Sequence, residues 1–434
     1  MAAANYVLDG QSFSPAAAGA QALLAAAYAN KKRPGCPCTR PPVPMYITKI
    51  DDRYIVKRMP NSGAKHAVSC ESYGPPAALS GLGDVSGAAI QEDPEAGVTN
   101  LKLDFAMSKT GTRAAPVATG AESASVRTDG KKLTIRGLLH YLWEQAGFNR
   151  WSPAMEGKRS WYTIRKYLLE AASDKQSKGA SLADQLFIPE SFHPDKKADI
   201  AARRTAALAP FAPKGGTRKL MLVVGEVKDI VEARGGFRVV VKHLPDFNFM
   251  MNTDMKRRLD KRFARELALA GALEGADVRL LMIGTFEQSL AGTATLDEVA
   301  LMTVNANWLP FEDRQGFDLL DALVAAKRRF SVGLRYNLTT DRPLANVVLT
   351  DTTPVPVAMY ALPGEMSGTY HALLSELVAE AEMPAWFWEP AVSRPPLPRL
   401  EGYISMPVPD AADAPAAAPD TTDDYPRDDG ADAD

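Results

Sequence analysis

A chain of 434 residues with 46% hydrophobic and 24% charged side chains has the make-up of a globular protein and the length for two or three domains. Its apolar runs fall short of the ~20 residues that cross a bilayer, and the first ten residues lack the basic and apolar stretches of a secretory leader. The formal charge of −2 hides an asymmetry: residues 407–434 hold nine aspartates and one arginine, net −8, which leaves +6 on residues 1–406. Three cysteines, an odd and low number, suit a reducing compartment. The expectation is a cytoplasmic protein with no membrane contact.

Residues 1–73 form the first predicted unit. A short strand at Tyr6, Val7 and Leu8 turns at Asp9 and Gly10 into an Ala/Leu helix that Ser14 would cap ahead of Pro15. Cys36, Pro37 and Cys38 follow, then two alternating strands, Met45–Ile50 and Arg53–Arg58, joined by Asp51 and Asp52, then His66 and Cys70. Antiparallel strands bring their outer ends together, so the pair before the hairpin meets the pair after it. Three thiolates and a neutral imidazole in tetrahedral array favour Zn2+, and four protein ligands make such a site structural rather than catalytic. The plain alternative is partly buried free cysteines beside a surface histidine, and a redox cysteine pair is a third.

Residues 74–130 read as an extended connector with one strand, Thr99–Phe105, and a flexible loop over 108–128. Ser108–Arg113 is rich in Lys, Thr and Gly but lacks the Gly-x4-Gly-Lys-Ser/Thr order of a phosphate loop.

Residues 131–208 read as a helical domain. Thr134 caps a helix with Leu138, Leu139, Leu142, Trp143 and Ala146 on one face, and Gly147 stops it. After a turn over 148–157, a second helix from Ser160 turns Trp161, Ile164, Leu168 and Ala171 inward. Further helices are predicted near 181–187 and 194–208, giving a helix-turn-helix-like bundle. Arg150, Lys158, Arg159, Arg165 and Lys166 interleave with Trp151, Trp161 and Tyr162, a mixture that suits phosphates and stacked bases. The alternative is a solvated basic face over an aromatic core.

Residues 217–392 read as a mixed α/β domain. Strands at 219–227 and 237–243 flank Gly235 and Gly236, a helix from about Thr253 carries Lys256, Arg257, Arg258, Lys261, Arg262 and Arg265, and strands return at 278–286 and 296–304. The expected arrangement is one sheet with a basic helix across it, a second candidate surface for nucleic acid. A helix at 316–330 precedes strands at 345–349 and 356–360, an order that resembles the core of restriction-type PD-(D/E)xK nucleases. That chemistry needs carboxylates around a divalent metal, and this chain has Pro343, Leu344, Ala345 and Met359, Tyr360, Ala361 at those places, so only an inactive or divergent relative fits. A last helix, 367–382, is followed by Trp386, Phe387 and Trp388 as an anchor, and 393–434 read as a disordered acidic Pro/Ala/Asp tail.

Several stretches resemble a bacterial family, domain-of-unknown-function family 1173: Cys36–Cys38 with Val43–Ile47, Tyr54–Pro60, Ala89–Asp93, Leu138–Trp143, Ala146–Pro153, Leu222–Lys228 and Leu334–Asn337. The resemblance runs over residues 5 to 390. It implies a bacterial, intracellular protein that travels with plasmids and integrative elements, and it implies no activity. The expected fold class is α+β: an N-terminal zinc-knuckle hairpin, a helix-turn-helix-like middle, a C-terminal mixed α/β region and a disordered tail. The expected function is that of a zinc-stabilised protein associated with DNA or RNA, or an accessory to mobile-element proteins. A divergent nuclease or a protein-interaction scaffold is the alternative. No set of acid, base and nucleophile assembles from the sequence, so catalysis is not expected.

Overall fold

The computed structural model describes residues 5–50, 52–110, 130–212, 217–273, 277–289, 292–390 and 392–410. Most of the loop expected at 108–128, and the acidic tail from 411, lie outside these residues. The protein is a mixed α/β structure with several sheets.

The first sheet has the order β2-β1-β3-β4-β5, antiparallel throughout. Its strands are β1 (Tyr6–Leu8), β2 (Gln11–Phe13), β3 (Gly35–Cys36), β4 (Val43–Ile50) and β5 (Arg53–Arg58). Asp9 and Gly10 both take positive φ, 51° and 80°, as a two-residue hairpin turn requires. Helix α1 (Ala20–Ala29) begins later than expected, after Gly19, because Ser14 Oγ accepts the Ala16 N–H and closes a separate turn. The β4–β5 hairpin has the expected register, from Met45 opposite Arg58 to Ile50 opposite Arg53. Leu24 and Ala27 of α1 pack on Leu8 and Ile47.

The expected connector is woven into the body. It holds α2 (Leu82–Val85), the β6 (Ile90–Asp93) and β7 (Val98–Leu101) hairpin, and β8 (Ser108–Thr110). Next come α3 (Ile135–Gln145), β9 (Arg150–Trp151), α4 (Trp161–Ala172), β10 (Lys175–Ser177), β11 (Ala180–Ser181), β12 (Leu186–Phe187) and α5 (Lys197–Leu208). The helix expected at 181–187 is instead two short strands around a 3-10 turn, since Leu186 and Phe187 pair with Leu222 and Val223. The segment between α3 and α4 is not a short helix-turn-helix turn. It enters the last sheet as β9, and α3 is buried on all sides from Gly137 to Trp143.

The expected open sheet closes into a barrel. After β13 (Thr217–Lys219), which pairs with β8, come β14 (Met221–Ala233), β15 (Gly236–Val241), β16 (Asn248–Met251), helices α6 (Thr253–Arg262) and α7 (Ala264–Ala272), β17 (Arg279–Gln288) and β18 (Ala294–Val304). Strand β14 pairs with β17 over its first half and β15 over its second, so the order runs β14-β15-β16-β18-β17 and back to β14. A strand serving both halves must bend, and β14 does so at a register shift between Val227 and Asp229. Gly225 lies just before it, where a Cβ would come within 2.7 Å of Val241. Among the described pairings of these five barrel strands, β16–β18 alone is parallel. Five strands in this order, with helices between the third and fourth, have the topology of an OB barrel. The core cluster that includes Phe249, Ile283 and Phe286 extends without a break to Leu138 of α3 and Leu168 of α4, so the helical unit and the barrel share one hydrophobic core.

The last unit holds β19 (Pro310–Phe311), α8 (Arg314–Ala325), β20 (Phe330–Val332), β21 (Val347–Leu349), β22 (Val357–Ala361), α9 (Gly368–Ala381) and β23 (Ala385–Trp388), in a sheet ordered β23-β22-β21-β20-β9. Trp386, Phe387 and Trp388 form more than an anchor: they are an edge strand parallel to β22. Packing also continues past 392. Trp386 Nε1 donates to Pro396 O, Arg328 Nη1 donates to Pro398 O, and Leu397, Tyr403 and Met406 cover the core, so the body extends to 410.

Candidate metal centre

The four expected ligands meet. Cys36 comes from β3, Cys38 from the turn behind it, His66 and Cys70 from the loop that follows β5. Cys36 Sγ lies 3.6 Å from Cys70 Sγ, and His66 Nδ1 lies 3.4 Å from Cys38 Sγ and 3.8 Å from Cys70 Sγ. All four ligand atoms fall within 4.8 Å of one another. Bonds of ~2.3 Å to sulfur and ~2.0 Å to nitrogen at tetrahedral angles place ligand atoms about 3.5 to 3.8 Å apart, so the spacing fits a four-coordinate ion. These side chains can hold a metal ion.

The surroundings favour the ligating forms. His66 is 3% exposed, and burial together with the Arg58 guanidinium pulls its pKa down, which keeps the imidazole neutral. Burial pushes the Cys36 thiol up, to about 12, whereas a cation among three sulfurs reverses that balance. Backbone N–H groups already serve two sulfurs: Ser72 donates to Cys70 Sγ at 3.4 Å and Cys38 donates to Cys36. Arg58 Nη1 donates to Ser72 O at 3.2 Å and fills the space beside Gly74, where a Cβ would come within 2.6 Å. Three thiolates and a dication leave one negative charge, which Arg58 offsets. Nothing in the local pattern singles out Arg58, because its role depends on the loop folding back over β5.

The family described as Protein of unknown function (DUF1173) matches residues 6–391. The chain belongs to the DUF1173 family. No curated protein and no solved structure matches it. Among the described residues of this DUF1173 protein, no helix is long and apolar enough to cross a membrane.

The basic residues divide into two sets. Arg159 is a core residue: its guanidinium donates to the carbonyls of Gly147, Phe148, Arg150 and Asn307 and lies over the Phe148 and Trp151 rings at 5.5 and 5.6 Å. Burial draws its pKa down to about 10. Trp161 is 5% exposed, donates to Pro189 O at 2.8 Å and stacks on His243 at 5.3 Å. Arg150 and Arg165 reach the carbonyls of Glu71 and Ile188. Of the residues expected to meet nucleic acid, Arg150, Arg159, Trp161 and Arg165 thus have polar groups that bond carbonyls within the fold and hold loops together. Lys158, Tyr162 and Lys166 stay exposed.

The second set faces outward. Helix α6 buries Met255 and Leu259 and leaves Arg257, Arg258, Lys261 and Arg262 exposed, Arg257 and Lys261 opposite the buried pair and Arg258 and Arg262 flanking it, with Asn252 Oδ1 capping its start. Arg257 pairs with Asp254 at 3.1 Å. Among the described residues, Arg258, Lys261, Arg262 and Arg265 form no ion pair. The helix continues past a kink at Phe263, whose N–H bonds Leu259 O and whose carbonyl accepts from Leu267, so Arg265 extends the strip. From 257 to 265 the strip covers about 12 Å.

The hairpin that resembled a nuclease core is β21–β22, and its Val347, Val348, Leu349, Ala358 and Met359 are all buried. It presents no carboxylate.

Proposed function

We propose that this DUF1173 protein binds DNA or RNA through the basic strip of α6, and that a structural zinc ion fixes its N-terminal module. The observation that carries the binding reading is the position of the strip: five exposed cations along α6 and the start of α7, the helices that bridge strands three and four of an OB-type barrel. Phosphates are held by such rows of Lys and Arg, with release of counterions. Soft thiolates with one imidazole and no open position suit Zn2+ held for structure.

The test is a gel-shift titration of single- and double-stranded DNA and RNA at low salt. Wild-type protein should shift at least one of them, and Arg258→Glu with Arg262→Glu should weaken that binding tenfold or more. Purified protein that retains none of them at low salt contradicts the reading. For the metal, elemental analysis should give one zinc per chain, lost in Cys36→Ser with Cys70→Ser.

A further inference from the structure

The basic strip ends at a cleft. Arg265, exposed on α7, lines a cavity of about 710 Å³ bounded by α7, the start of α8, the loops after β20 and β22, and Trp388. That volume lies within the roughly 300 to 1,000 Å³ typical of ligand sites.

Four of the six charged side chains lining the cleft are matched in pairs. Arg335 Nε bonds both carboxylate oxygens of Glu312, at 2.7 and 2.9 Å, and Arg314 Nε bonds Asp318 at 2.9 Å. Asp313 Oδ1 is occupied by the Gly316 N–H at 2.7 Å, as the cap of α8. A strongly charged ligand would have to break one of these pairs. Part of the wall is apolar, with Ala268 and Ala272 one helical turn apart on α7 beside Leu269, and two aromatic rings, Tyr370 and Trp388, complete the lining. Asn346 receives the Ala361 N–H on Oδ1, and its amide nitrogen has no partner among the described residues. An apolar stretch of wall, two aromatic rings and charged side chains that sum to zero match a flat, neutral heterocycle with hydrogen-bonding edges.

We infer that this cleft accepts an unpaired base of a nucleic-acid strand whose phosphates run along Arg258, Lys261, Arg262 and Arg265. The inference rests on the binding function proposed above and adds its substrate class: a single strand, since a paired base cannot enter without leaving its duplex.

The experiment uses the full chain with a single-stranded oligodeoxynucleotide carrying 2-aminopurine, the matching duplex, and the 2-aminopurine mononucleotide. The single strand should bind at least tenfold more tightly than the duplex, with a change in 2-aminopurine emission. Ala268→Trp fills the cleft from an exposed helix position and should weaken the single strand about tenfold, the scale of one lost stacking contact, and abolish the emission change. It should leave duplex affinity unchanged. Ala272→Trp should do the same, and unaltered melting of both variants establishes that they fold. If both variants bind the single strand as wild type does, the inference is overturned while the strip remains. If the mononucleotide binds as tightly as the oligonucleotide, the occupant is a free nucleotide and the strand assignment is overturned. If strip variants and cleft variants alike leave binding untouched, both readings fall.

Discussion

Arg150 donates through Nη1 to the carbonyl of Glu71 at 2.8 Å, which ties the loop of candidate ligand Cys70 to strand β9 of the C-terminal sheet. The metal module is thus anchored to the far end of the chain by a side chain that is itself desolvated. Arg150→Ala should loosen the loop without removing a ligand. Zinc affinity should fall roughly 10- to 100-fold, as for other residues that orient ligands. Competition with a chromophoric chelator measures it; unchanged affinity would show that the loop is held by other contacts.

A second link joins the same module to the body. Asp174 accepts from Lys57 of β5 and from Lys175, each at 2.6 Å, and the Asp174 and Lys175 side chains are both 1% exposed. Removing the carboxylate leaves a buried, unpaired ammonium. Asp174→Ala should therefore destabilise the protein by about 3 to 5 kcal/mol, read from urea unfolding, and a change below about 1 kcal/mol would be inconsistent with this packing.

Acid should weaken the core at His140. Burial, with Arg136 and Arg335 nearby, lowers its pKa from 6.5 to about 3, and its Nδ1 accepts the Tyr336 N–H at 2.9 Å. A group with a depressed folded-state pKa contributes its full stability above the unfolded value and loses it as pH falls. Between pH 6.5 and about 3 the unfolded chain binds a proton that the folded chain refuses. Stability should fall across that window. His140→Asn keeps an acceptor and does not titrate, so its unfolding free energy should be flatter in pH by about one proton. Equal slopes for the two proteins would exclude His140 as the source.

Charge in the C-terminal segment opposes the strip. Residues 411–434 carry eight aspartates and one arginine. Truncation after Asp410 removes that field and should tighten nucleic-acid binding several-fold at low salt, with the difference vanishing as salt screens it. Isothermal or anisotropy titrations of the two chains decide this, and a weaker truncated protein would contradict it.

Local pattern carried much of the structure. The β4–β5 hairpin, the capped helices at Thr134 and Ser160 and the ligand quartet all depend on neighbours close in sequence, where alternation, capping and spacing act directly. The barrel was not legible, because its closure depends on β14 being long and bent enough to pair with β15 on one side and β17 on the other. Arg159 shows the same limit at one residue. Its charge reads as a surface feature, yet three carbonyls of the turn after α3 and one from the distant Asn307 converge to satisfy it. By contrast, Arg257 and Lys261 lie opposite Met255 and Leu259, and helical periodicity alone places those two outside.

The salt dependence of nucleic-acid affinity tests the central claim most directly. Four unpaired cations contacting single-strand phosphates predict a slope of log K against log salt of about −3, and Arg258→Glu with Arg262→Glu should reduce its magnitude by about 1.4. A slope near zero, or one that the double variant leaves unchanged, would contradict the account.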